Sequence, residues 1–424
     1  MQWLRGMFDR GKFKPAGIET NPEALSALAQ ASETYAIVAS QDIVDMRGRK
    51  LWNRGQRVTP ALQQRLQDRG LQQPLEVCLS VEDGVTVHNL HQHLKTYFEE
   101  DSPLAMSLRP WAPVVLQQVQ ELPLHPVAQL LLTTALATRP KTLPHAIQAM
   151  ALAGAMSDRQ DSTLDIRLAM LGGLLHDIGE VYVQPHHLEH DGPLNLMGHK
   201  HLVMHPRIAQ LLLGTTTDYP DALCRAIGEH HGRLDGSGYP ARLGEDNISS
   251  LGRMLSVVEV TLGIMRKPHA QLARASFALR VIPGEFDPQW ADLVDNFARN
   301  ADEAPPNKPA RSKAAMCMET LFQQALDLNA DLMAQGRTGL VLEVVSIALE
   351  RLDYLRNTWR DSGFAALDSD LLEAQERFEL EMATKEFKKH VRQLQRECML
   401  LGERLTVAER VLIQPLWHGL LARQ

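Results

Sequence analysis

Between residues 103 and 297 the chain repeats one pattern, and that pattern restricts its fold more than any other feature. Apolar-rich segments of helical length follow one another: "VAQLLLTTALAT", "HAIQAMALAGAM", "IRLAMLGGLLHD", "RIAQLLLG", "DALCRAIGEHH" and "LGRMLSVVEV". Pro, Gly and polar clusters separate them, so a mainly α fold is predicted. Imidazole and carboxylate groups recur on these segments. His145 opens one and His176-Asp177 closes the next; His205-Pro206 begins another, His230-His231 ends "DALCRAIGEHH", and Glu259 lies inside "LGRMLSVVEV". Unpaired polar groups on apolar helices are costly, and a shared metal centre would satisfy them all.

No single pair among these carries weight. Seventeen histidines and 51 acids in 424 residues give roughly two His-acid dipeptides by chance, and a second one, His190-Asp191, does occur. The whole set is the signal, together with the Gly-rich turn "GRLDGSGYP" that follows His230-His231.

At 44% hydrophobic and 22% charged residues the composition is that of a soluble globular chain. No apolar stretch approaches the ~20 residues that span a bilayer, and the N-terminus does not read as a signal peptide. The cysteines at 78, 224, 317 and 398 form no CxxC pair and read as reduced thiols of a cytoplasmic protein. A net charge of −7 without a basic stripe argues against DNA or RNA binding. A phosphate-rich ligand would therefore need metal ions or a few arginines to meet it.

Residues 1–34 read as a polar tail, and 35–102 as a small mixed α/β regulatory module. That module has a hairpin around Gly48 and a helix running from a Thr59 cap, with Pro60 in its first turn, to a stop at Gly70. Residues 103–298 form the helical domain. A Pro- and charge-rich linker occupies 299–313, and 314–424 read as a C-terminal helical bundle. In that bundle Val341, Val345, Ala348, Leu352 and Leu355 line one apolar stripe. Phe387, Val391, Leu394, Cys398 and Leu401 line another. The C-terminal helices are long enough for a homodimer or a protein partner, and their apolar faces are equally satisfied within one chain.

With these residues in view, the stretch 141–294 resembles the HD-GYP branch of the HD-domain metal-dependent phosphohydrolases. His145, "LLHDIGE", "MHPRIAQLLL", "IGEHHGRLDGSGYP", "GRMLSVVEV" and the closing "GEFDPQWADLV" carry the likeness. The resemblance implies an all-helical HD core holding two divalent transition-metal ions, iron or manganese, with zinc also compatible. It implies His145, His176, Asp177, His205, His230, His231 and Glu259 as ligands, Asp177 being the bridging, catalytic carboxylate. Asp235, Gly236, Gly238, Tyr239 and Pro240 would form the substrate-side loop, and Arg253 would meet a phosphate. The implied activity is hydrolysis of cyclic di-GMP or a related cyclic nucleotide in bacterial second-messenger signalling. The alternative is a catalytically weak or silent receptor or scaffold.

Several positions depart from the family's pattern. Glu180 stands where the family usually carries lysine; it either turns away, pairs with an arginine, or adds a metal ligand. Gly232 replaces a glutamate, Glu259 an aspartate, and Leu262 an acid. Lys141 stands where three-metal members carry a glutamate, so a third ion is not expected unless His186, His187, His199 or His201 contributes.

Overall fold

The computed structural model describes residues 18–66, 69–158, 163–188, 196–240, 243–266, 270–301, 315–364 and 372–421. Residues 1–17 of the expected tail, the His190-Asp191 pair and the body of the 299–313 linker lie outside them. By contacts the chain divides into two compact units, one of Met1–Pro193 with His201–Pro268, the other of Leu194–Lys200 with His269–Gln424.

The first unit opens with short strands β1 (Ile18–Glu19), β2 (Ile37–Ala39), β3 (Ile43–Val44), β4 (Lys50–Trp52), β5 (Gly70–Leu71) and β6 (Leu79–Val81). They pair antiparallel as β1–β5, β2–β6 and β3–β4. The β3–β4 hairpin turns through Gly48, whose φ of 76° suits a residue without Cβ. Helices α1 (Pro22–Ala31) and α2 (Pro60–Leu66) pack among the strands. Helix α1 corrects the expectation of a polar tail to residue 34. Asn21 Oδ1 caps it, accepting from Glu23 and Ala24 N–H at 2.9 Å each, and Leu25 and Leu28 are buried in the core. Gly70, expected to stop a helix, instead opens β5.

Helices α3 (Val87–Glu99), α4 (Pro103–Leu108), α5 (Ala112–Val119), α6 (Pro126–Thr138), α7 (Thr142–Ser157) and α8 (Ile166–Leu175) follow. A 3-10 turn, Ile178–Tyr182, leads to α9 (Pro185–Leu188) and α10 (Leu196–Leu202). Next come α11 (His205–Thr216), α12 (Asp221–Glu229) and α13 (Ser250–Met265). Their interior is lined with Ala, Leu, Met and Val: thirteen of the sixteen α7 residues are buried, as expected of a helix apolar nearly all round. The N-terminal strands and these helices share one core, since Leu130 of α6 packs with Leu25, Ile37, Leu62 and Leu71. Val85 N–H donates to Thr133 Oγ1 at 2.9 Å across the same boundary.

The second unit contains α14 (Leu272–Arg280), α15 (Pro288–Asn300), α16 (Ala315–Ala334), α17 (Leu340–Asp361), α18 (Ala374–Gly402) and α19 (Val407–Leu421). The expected apolar stripes meet in its cores: Val341, Val345, Ala348 and Leu352 pack with Leu394 and Cys398. The boundary near 298 is shifted, because α14 and α15 group with the C-terminal helices. Phe277 and Ile282 pack on Leu355, Trp359 and Phe387, so covered apolar area, not the proline-rich stretch, assigns these helices. No helix among the described residues is long and apolar enough to cross a membrane. Cys78, Cys224 and Cys398 are buried thiols.

Candidate metal centre

Helix ends place the polar side chains. His145 lies in the first turn of α7, and His176 caps α8 with Asp177 next to it. His205 begins α11, His230 caps α12, and Glu259 projects from the middle of α13. Gly179 makes the junction possible. A Cβ there would lie 2.1 Å from the His205 carbonyl oxygen, so glycine lets the 178–182 turn press on the start of α11 and bring His205 to Asp177.

Two groups of ligand atoms result, each gathered within 4.8 Å: His145, His176, Asp177 and Glu259, and Asp177, His205, His230 and His231. Asp177 belongs to both. Its Oδ2 lies 3.3 Å from His145 Nε2 and 3.3 Å from His176 Nε2. Its Oδ1 lies 3.3 Å from His205 Nε2 and 3.6 Å from His230 Nε2. Glu259 Oε2 completes the first group at 3.6 Å from His145 and 3.4 Å from His176. Every predicted ligand residue is thus brought together.

The donor set fits divalent cations. His176, His205 and His230 place Nδ1 at 2.8, 2.7 and 2.6 Å from the backbone carbonyls of Gly173, Leu202 and Ile227. A carbonyl only accepts, so Nδ1 carries the proton and Nε2 presents a lone pair in the neutral ring. Yet Nε2 of His145 faces Nε2 of His176 at 3.2 Å, and those of His205 and His230 face each other at 3.1 Å. Converging lone pairs repel unless a cation lies between them. Separations of this size match the ligand–ligand edges, about 3.0 to 3.4 Å, of an octahedral or tetrahedral shell at roughly 2.1 Å from a metal. Glu259 Oε2 is buried with no hydrogen-bond partner among the described residues. At the first group Arg266 supplies a cation, its Nη2 2.7 Å from His145 Nε2.

Electrostatics agree with this fit. Burial would push the Asp177 carboxyl up, but the imidazoles of His176, His145 and His205 beside it hold it well below the usual range. Glu259 is held well down against burial by His145 and His176. Burial pushes His230 down to about 4, and burial with His230 beside it pushes His231 well down. His145, His176 and His205 are raised, because the carboxylates outweigh their burial. Protons and metal therefore compete for the same lone pairs.

The expected substrate loop is fastened to the second group. The Tyr239 ring stacks on His231 at 4.4 Å and 22°, and Tyr239 N–H donates to the His231 carbonyl at 3.1 Å. Gly238 passes so close that a Cβ would meet the His231 oxygen at 2.5 Å. Asp235 Oδ1 accepts from Ser237 N–H at 3.0 Å, Gly236 takes φ 75°, and Pro240 ends the loop exposed. Arg253 is engaged elsewhere: Nε donates to the Ile248 carbonyl at 3.1 Å and Nη2 to that of Glu245 at 2.7 Å, tying it to the 245–248 turn. At Gly232 a side chain would meet the Glu229 oxygen at 2.8 Å and Ile248 Cδ1 at 2.9 Å. The His186, His187 and His201 rings cluster, but among the described residues their nitrogens join no converging group of three ligand atoms. His199 is buried in the other unit and pushed down to about 4 by burial and Arg396.

Of the three fates open to Glu180, pairing with an arginine is the one observed. Arg139 Nη1 lies 2.5 Å from Glu180 Oε2, with both side chains largely buried. Burial, then Asp177, raises the Glu180 carboxyl, while Arg139 opposes them. Arg139 and Arg266 were not singled out from the sequence. The signal for Arg139 was a cation ending an apolar helix directly before Pro140; Arg266 had none beyond its charge.

Comparison with known proteins agrees with this geometry. Residues 114–277 match the family model of the HD domain. A cyclic di-GMP phosphodiesterase of Pseudomonas aeruginosa is 33% identical over 171 residues, covering 39% of this chain and 41% of the relative. Two 3'3'-cGAMP-specific phosphodiesterases of Vibrio cholerae are 28% identical over 137 residues and 31% identical over 87. These two alignments cover 29% and 20% of this chain. The chain spans 41%, 30% and 19% of the three relatives' lengths. No solved structure matches it. The helices that gather the two ligand groups, from His145 to Glu259, lie within the residues that match the HD domain.

Proposed function

We propose that this chain is a metal-dependent phosphodiesterase that hydrolyses a cyclic dinucleotide, cyclic di-GMP or a close relative, in second-messenger signalling. One observation carries this reading: the two oxygens of Asp177 face two separate groups of ligand atoms. His145, His176, Asp177 and Glu259 would hold one divalent ion, and Asp177, His205, His230 and His231 a second. Imidazole with carboxylate suits iron, manganese or zinc. Bound there, such ions bring the pKa of water toward neutrality and stabilise charge on phosphoryl oxygens.

The chain's own residues prepare that chemistry. The carbonyls of Gly173, Leu202 and Ile227 fix the ring tautomers, so that Nε2 points inward. Tyr239 braces His231 and ties the 235–240 loop to the ligand groups, which supports a substrate-side role for that loop. The substrates named for the Pseudomonas and Vibrio relatives support the cyclic dinucleotide class.

A second reading, a catalytically silent signalling receptor or scaffold, is favoured by Glu180 standing where the family carries lysine: paired with Arg139, it leaves that position without a lysine's net positive charge. Turnover decides between the two. The purified protein, loaded with Mn²⁺ or with Fe²⁺ under anaerobic conditions, should convert cyclic di-GMP or 3'3'-cGAMP to linear products, and chelation should abolish it. Stoichiometric metal without turnover of either dinucleotide would discard the enzyme reading in favour of the scaffold.

A further inference from the structure

We propose that Arg139 is a phosphate-binding residue of this centre, and that Glu180 positions its guanidinium. The proposal rests on the phosphodiesterase reading and adds to it the group that meets the substrate anion. Arg139 closes α6 with its backbone fixed on both sides: its N–H donates to the Ala135 carbonyl at 2.8 Å, and its carbonyl accepts from Thr142 N–H at 2.9 Å. Its side chain is 9% exposed. Glu180 takes the Nη1 side at 2.5 Å, while Nη2 is buried with no hydrogen-bond partner among the described residues.

A guanidinium is a planar fork that bonds acceptors along more than one edge. Here one edge is held by a carboxylate and a neighbouring nitrogen still lacks an acceptor, which is costly in a buried place. The location supplies the reason. Glu180 N–H donates to the Asp177 carbonyl at 2.9 Å, and the charges of Asp177 and His205 both act on the Glu180 carboxyl. The pair thus adjoins the carboxylate shared by both ligand groups. Arg253 spends Nε and Nη2 on backbone carbonyls. In a chain of net charge −7, a fixed buried cation next to a metal centre suits a non-bridging phosphate oxygen. Glu180 then acts as the orienting partner of that cation, and its negative charge is spent within the pair.

Inorganic phosphate titrated calorimetrically into the manganese-loaded protein tests the assignment without requiring turnover. The double variant Arg139→Gln/Glu180→Gln removes both charges together and leaves no buried orphan. It should bind phosphate roughly 10-fold or more weakly, with manganese content unchanged. Arg139→Lys keeps the charge but loses the fork; it should fall between the two, and serves if the double variant does not fold. Phosphate affinity equal to wild type in the folded variants would overturn the proposal. Weakened binding that merely tracks lost manganese would overturn it too, as would a loaded wild type that binds no phosphate. Cyclic di-GMP titrated into the same proteins separates the two readings. If phosphate binding weakens in the variants while none of the proteins binds the dinucleotide, Arg139 keeps its role and the cyclic di-GMP assignment falls.

Discussion

Asp177 turns its two carboxylate oxygens toward different partners, and that division makes the centre testable residue by residue. Asp177→Ala should lower bound manganese from about two ions per chain toward none, whereas His145→Ala or His231→Ala should leave about one. Metal content after loading and desalting measures the difference. Equal losses from all three variants would mean that the two groups are not separate sites. Most of this was legible in the sequence, because each ligand residue sits at the end of an apolar helix or on one, where a polar group needs a reason. What surrounds them was not legible. Arg139 meets Glu180 across 41 residues, a separation that no local pattern reports. The resemblance implied that Arg253 meets a phosphate, and nothing in "LGRML" reveals the carbonyls of Glu245 and Ile248 that it bonds instead.

At the scale of elements, the 178–182 turn couples the two halves of the centre. Gly179→Ala would drive a Cβ against the His205 carbonyl and should cost about 1–3 kcal/mol, the range for overpacking. Denaturant unfolding reads that cost. A Mn²⁺ titration should show one binding step weakened and the other retained if His205 alone has moved. Unchanged stability would show that the turn adjusts freely. Helix identities were readable here from apolar periodicity and caps, and Asn21-Pro22 was a usable start signal for α1. Unit membership was not. The proline-rich stretch after 299 marks a break in composition, but α14 is assigned by the burial of Phe277 and Ile282 against distant residues such as Trp359 and Phe387.

At the scale of the molecule, the N-terminal strands do not form a separate bead. They share a core with α6 through Leu130, and Arg139 caps the C-terminal end of α6. Two further residues of the N-terminal module, Glu76 in the 75–78 turn and Glu23 in α1, grip the segment beyond Asp177. Tyr182 Oη donates to Glu76 Oε1 at 2.5 Å, and Gln184 Nε2 donates to Glu23 Oε1 at 2.9 Å. Both members of the Arg139–Glu180 pair therefore stand on backbone that this module helps to hold. Thermodynamic linkage runs in both directions. Mn²⁺ should slow amide hydrogen exchange in residues 22–31 and 75–82, remote from any ligand atom, as well as in 142–260. Protection confined to 142–260 would show that the two regions do not communicate. If the remote protection is seen, whatever binds the N-terminal module will be sensed as a change in metal affinity, with no hinge or domain closure required to carry the message.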